Sequence, residues 1–255
     1  MLPAVKSHVW IVTRWHPGVG AALVSAVVAF TLLGCGGTSS SPQDGGPRDA
    51  ERSDSRPSAN DATTADAATT LDAADIPDSG VLTISVMEFS GVQGANDWYY
   101  GYVAPATSPD FVPMTNFRVD PTYGAIWSVD PDLYWTQLRD VDAHGNGVTT
   151  TGAGHIAVEH WTVRRWVSRY SANIDISVRF AKVNDDPSGN GVEGRIIVDG
   201  STVWTHRLSV ADTTGITTNV SATVHPGSTV DFVLDPYLSD DVADLSTFTA
   251  TIRAL

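Results

Sequence analysis

Residues 173–182, NIDISVRFAK, alternate apolar and polar side chains. Ile174, Ile176, Val178 and Phe180 stand against Asp175, Ser177 and Arg179. A period of two puts the apolar set on one face of an extended strand, where a helical period of 3.6 would scatter it. Such a strand needs a sheet with a covered face, and the C-terminal part of the chain repeats the same kind of segment. In GRIIVDGSTVWTHRL (194–208), Asp199-Gly200 separates two β-rich runs, a hairpin signal that rests on the positive φ glycine accepts. His225-Pro226-Gly227 marks a turn between the strands of 216–235. STFTATIRAL (246–255) closes the chain with Phe248, Ala250 and Ile252 on one face. No window of a dozen residues carries a helical period.

Adding residues 81–89, 98–103, 126–129 and 157–168 gives eight or nine strands. Short strands at this spacing predict an all-β fold, a jelly-roll-type antiparallel β-sandwich over residues 81–255. Residues 104–155, with Pro, Gly and Asp throughout, are expected to form long loops with one or two strands, and loops are where sandwiches carry function.

The chain before this domain has a different composition. Residues 19–34 (VGAALVSAVVAFTLLG) are uncharged and apolar or small, Lys6 and Arg14 precede them, and the first acidic residue is Asp44. That is the layout of an export signal, 1–34. The run is short against the roughly 20 residues of a membrane span. It ends at the only cysteine of the chain, Cys35. Leu32-Leu33-Gly34-Cys35 resembles a bacterial lipobox, which implies cleavage before Cys35 and acylation of its thiol and new amine. Three acyl chains at about 0.8 kcal/mol per buried methylene hold a protein at a membrane far better than one. With Cys35 acylated, no thiol remains for a disulfide, a nucleophile or a cysteine metal site. Residues 36–80 hold no aromatic residue, and Ser, Thr, Ala, Asp, Gly and Pro dominate. They are expected to stay disordered, as an acidic linker that lifts the domain off the membrane. The expected location is therefore the bacterial cell envelope, at the outer membrane or cell surface. The net charge of −14 argues against a nucleic-acid partner.

Four motifs in order, FSGVQGANDWYYGYVAP (89–105), AVEHWTVRRWVSR (157–169), GVEGRIIVDGSTVW (191–204) and GSTVDFVLDP (227–236), resemble a β-sandwich module appended to bacterial extracellular carbohydrate-active and surface proteins. The resemblance spans nearly all of 88–253. It implies a carbohydrate-binding-like, non-catalytic role.

Aromatic and arginine side chains are the candidates for sugar contact, because pyranose C–H faces pack on π-surfaces. Strand alternation sends Trp98, Tyr100 and Tyr102 to one side, as a platform or as half of the core. Trp161 and Trp166, five apart, must face opposite ways on a regular strand. Arg164 and Arg165 split likewise, one pairing with an acid such as Asp97 or Glu159 and the other left for hydroxyls or a uronate. Trp127, Tyr134 and Trp135 fall in the irregular region and are expected to be exposed. Two oxygen-rich stretches are candidates for structural Ca²⁺: Asn184, Asp185 and Asp186, and Asp235, Asp240 and Asp241. The first departs from an EF-hand loop, since Arg195 stands where a bidentate Glu is required. His155, Glu159 and His160 do not match zincin spacing. The expected function is a surface lipoprotein presenting a glycan-binding module. The alternatives are an adhesive or structural protein that binds another protein and, third, a jelly-roll polysaccharide lyase or hydrolase.

Overall fold

The structure, a computed structural model, describes residues 72–255. The signal segment, Cys35 and the linker up to residue 71 lie outside the described residues. Fourteen strands follow in order: β1 (Val81–Ile84), β2 (Trp98–Ala104), β3 (Ser108–Pro113), β4 (Asn116–Asp120), β5 (Gly124–Ser128), β6 (Gln137–Leu138), β7 (Asp142–His144), β8 (Trp161–Val167), β9 (Ala172–Lys182), β10 (Val192–Val198), β11 (Ser201–Leu208), β12 (Ile216–Val224), β13 (Thr229–Asp235) and β14 (Ser246–Ala254). The helical content is one 3₁₀ turn, Ala95–Asp97.

Two antiparallel sheets form. One runs β11-β10-β13-β8-β2-β3, and the other β12-β9-β14-β7-β6-β5-β4, with β1 also on β14. With β2–β7 set aside, the remaining strands pair as β1-β14-β9-β12 and β8-β13-β10-β11. The chain thus switches sheets at β8–β9, β9–β10, β11–β12, β12–β13 and β13–β14, which is jelly-roll interleaving. The strands beyond the expected eight or nine are mostly the short ones between 108 and 144. They are an insertion that widens both sheets.

The core lies where the period-two faces meet. Ile174, Ile176, Val178 and Phe180 of β9 oppose Val230, Phe232 and Leu234 of β13, with Phe248 and Ile252 beside them, all buried. The rings of Phe180 and Phe248 stand 4.8 Å apart. Asp199 and Gly200 both take positive φ, 48° and 79°, the turn that matches the twist of the β10–β11 hairpin. Ala74 packs on the core and its N–H donates to Arg169 O at 2.8 Å, so ordered contacts begin before residue 81.

Candidate functional site

The core claims four of the expected sugar-contact aromatics. Trp98, Tyr100, Trp127 and Trp166 are buried, as is Arg164. Alternation on β2 and β8 turns these side chains between the sheets. Trp98 donates its indole N–H to Thr83 Oγ1 at 2.6 Å. Trp127, expected to be exposed, lies on β5 within the strand expected over 126–129; it stacks on Tyr100 at 5.8 Å and donates to Ser90 O at 2.7 Å. The Arg164 guanidinium donates to Arg139 O at 2.6 Å and Asp140 O at 2.9 Å, tying β8 to the β6–β7 connection. Burial lowers it to about 10. All five side chains are buried in the fold.

Tyr134 and Trp135 are half-buried, but their faces are taken. His155 stacks on Trp135 at 5.2 Å and His144 packs against it at 5.1 Å. The indole N–H donates to Ala153 O at 3.0 Å. Tyr134 lies on Gly154, where a Cβ would come within 2.5 Å of its ring. These rings close the 145–160 loop rather than open a platform. His144 and His160 are buried, and desolvation lowers each to about 4, so both are neutral parts of the fold.

The calcium candidates do not converge. Asn184, Asp185 and Asp186 are exposed, and Asp186 accepts the Ser188 N–H at 2.9 Å. Asp235 is held by Arg195 at 2.6 Å, and Asp240 accepts the Val242 N–H at 3.2 Å. Asp241 is buried, accepts the Gly147 N–H at 2.9 Å and lies 3.1 Å from His155 Nδ1. Protein donors meet Asp186, Asp235, Asp240 and one oxygen of Asp241, while the other oxygen of Asp241 is buried without a donor. Among the described residues no three His, Cys, Asp or Glu side chains form a metal-holding group.

The outward face of the six-stranded sheet, toward the end where β8 and β10 begin and β13 ends, carries half-buried Trp161, Glu193 and Arg195 over buried Val163, Val233 and Asp235. Since Val230, Phe232 and Leu234 face the core, Asp231, Val233 and Asp235 face out, and register carries that face across the sheet. Val233 pairs with Val163 and Arg195, and Asp235 with Glu193. Trp161 therefore faces out while Trp166 faces in, as five-residue spacing requires. The Arg195 guanidinium lies 4.2 Å from the Trp161 ring centre and is bonded to Glu193 and Asp235 at 2.7 and 2.6 Å. Trp161 donates its indole N–H to Glu159 at 2.5 Å, and the Ser239 hydroxyl donates to the other oxygen of Glu159. Farther along, Arg165 makes a two-point pair with Asp231 at 2.7 and 2.8 Å and lies 4.3 Å over Phe111. The acid that pairs with Arg165 is Asp231; Asp97 instead pairs with Arg169. Burial pushes Asp235 up to about 7. Arg195 holds it down in part, and Glu159 and Glu193 push it further up.

The ledge continues onto β11, where Arg207 pairs in register with Glu193 and its guanidinium lies 3.6 Å from the Tyr237 ring centre. Beside it opens a groove of about 530 Å³ lined by Gly189, Asn190, Arg207, Ser209 and Val210. The wall loops pack backbone on backbone. A Cβ on Gly147 would meet Ser239 O at 2.3 Å, and one on Gly189 would meet Val242 O at 2.3 Å. Leu238 and Ser239 hold φ of 56° and 62°, a strained left-handed pair, and Ser239 O accepts the N–H groups of Val148 and Thr149. Leu238 itself is 70% exposed. Arg195, Glu193, Arg207 and Tyr237 were not singled out from sequence. The one signal for the first two was their outward parity on an alternating strand.

No family model matches the chain, and no curated protein does. Among solved structures, the CBM51-2 and INT domains of ZmpB from Clostridium perfringens are 16% identical over 43% of this chain and 24% of that one, with a TM-score of 0.30. This chain thus spans about a quarter of that one. The CBM51 of a Clostridium perfringens GH95 in complex with methyl-galactose is 10% identical over 61% of this chain and 99% of that one, TM-score 0.30. The carbohydrate-binding module CBM36 in complex with calcium and xylotriose is 16% identical over 44% and 87%, TM-score 0.22. These similar chains are carbohydrate-binding modules; the sandwich assignment here rests on the strand pairing itself.

Proposed function

We propose that this protein binds extracellular glycan without catalysis, through the ledge and groove at the β8–β10–β13 end of the six-stranded sheet. The observation that carries the reading is the Arg195 constellation beside that groove. A guanidinium fixed by an aromatic ring and two carboxylates offers donors and acceptors in set positions, which is what hydroxyl recognition needs. The tight loop packing supports it, because a preformed wall loses little entropy on binding. The lipid anchor at Cys35, the linker of 36–80 and display at the outer membrane or cell surface belong to the same reading and rest on the sequence alone. A structural Ca²⁺ at these stretches would draw on Asp185 and the unpartnered Oδ1 of Asp241 and would compete with Arg195 for Asp235.

The test is a glycan array probed with full-length protein in detergent, in calcium and in EDTA, beside Trp161→Ala. Binding that falls at least tenfold in Trp161→Ala, with the melting transition retained, supports the ledge. Silence across the array from folded protein contradicts glycan binding. Loss in EDTA alone moves the weight to the acidic loops.

The second reading, contact with another protein, is favoured by the sheet edge at β4. Val119 there is 73% exposed and Tyr123, in the following turn, 59%. Val119→Lys would abolish such a contact and leave glycan binding unchanged.

A further inference from the structure

The groove contains an arginine whose charge the fold does not compensate. Arg139, Arg165, Arg169, Lys182 and Arg195 each have a carboxylate partner; Arg118, Arg164, Arg179, Arg207 and Arg253 form no ion pair among the described residues, and of these Arg207 lines the groove. Glu193, across the strand from Arg207, is engaged by Arg195. Arg207 is nevertheless held still. Its guanidinium lies on Tyr237, and one amino group donates to Asn190 O at 2.9 Å. Its other N–H groups have no acceptor among the described residues and border the groove. The same groove holds the opposite deficit, since Asn190 Oδ1 is buried with no donor.

We propose that this groove takes the terminal sugar of a glycan bearing a carboxylate, a uronic acid or a related acidic sugar. The inference rests on the glycan-binding reading and narrows it. A carboxylate fits the fork of a guanidinium in two-point fashion. The Ser209 hydroxyl, on the groove lining, adds a donor and acceptor. The volume falls within the roughly 300–1,000 Å³ of small-ligand clefts. The chain carries a net charge of −14, so an extended polyanion lying within about 8 Å of its surface is repelled. An acidic residue at a glycan terminus meets the local field of Arg207, beside Glu193, which Arg195 engages.

The experiment compares full-length protein with Arg207→Gln and Arg207→Lys. The probes are an array of matched glycans ending in glucuronate or galacturonate, in the corresponding neutral hexose, or in a sulfated hexose. The expected result is preference for the uronate terminus and a loss of about ten- to hundredfold in Arg207→Gln. Arg207→Lys keeps part of the affinity, because the charge remains without the fork. Arg207 is exposed, so the variants should melt with the wild-type protein. Equal binding of neutral and uronate termini, preference for sulfate, or uronate binding within twofold of wild type in Arg207→Gln overturns the inference and leaves glycan binding standing. Silence toward every probe overturns both.

Discussion

At the scale of single residues, the parity of Trp161 and Trp166 puts them on opposite faces, and the structure turns Trp166 into the core and leaves Trp161 half-buried on the outward face. The parity of Trp98 and Tyr100 groups them correctly but does not say which face is covered. Burial depends on what the second sheet brings, and a strand pattern does not contain that. Trp127 shows the limit most clearly: its position in a Pro- and Asp-rich region suggested exposure, yet β5 turns it against Tyr100. The arginine ledge was illegible because it joins β8, β10, β11 and β13, residues far apart in sequence. Burial also sets the response to pH. His144 and His160 titrate near 4 in the fold against about 6.5 unfolded, so the unfolded chain takes protons first. Their stabilising contribution is complete above pH 6.5 and is lost as pH falls through 4. Asp235 works the other way. Raised to about 7, it favours the fold below its unfolded value near 4, and that contribution is lost as pH rises to 7. Urea unfolding of His160→Gln from pH 7 to 4 should therefore show a shallower acid loss than wild type. An equal slope would mean His160 is not held neutral.

At the scale of elements, the long strands were legible because each carries at least three alternations between turn signals. Asp199-Gly200 and His225-Pro226-Gly227 mark two of those turns, and the chain does turn at both. Of the short strands β3 to β7 only β5 was legible, as the segment 126–129. The others run two to six residues and are broken by Pro113, Pro121 and Pro131, too short for a period to register. The site is built by loops whose glycines allow close approach. Gly189 combines φ of 85° with a Cβ position 2.3 Å from Val242 O. Gly189→Ala should cost roughly 1–3 kcal/mol and weaken glycan binding beyond that loss of stability, by shifting the groove wall. A stability change under about 0.5 kcal/mol in chemical denaturation would show that the loop yields freely.

At the scale of the whole molecule, the proposed lipid anchor at Cys35 and the proposed linker of 36–80 would present the sandwich at the membrane surface. The fold class was legible from residues 173–182 onward, whereas the ligand was legible only as a class. The anchor has its own test. Metabolically supplied palmitate should label the wild-type protein and not Cys35→Ser, and an unlabelled wild type would remove the lipid from the account. The central claim concerns where a glycan lands, and hydrogen–deuterium exchange reads that directly. With the strongest array ligand bound to the full-length protein, amides of 189–191, 207–210 and 236–242 should exchange more slowly, while β4 and its turn through Tyr123 remain unchanged. Protection confined to 116–123, or none with ligand saturating, would contradict the site.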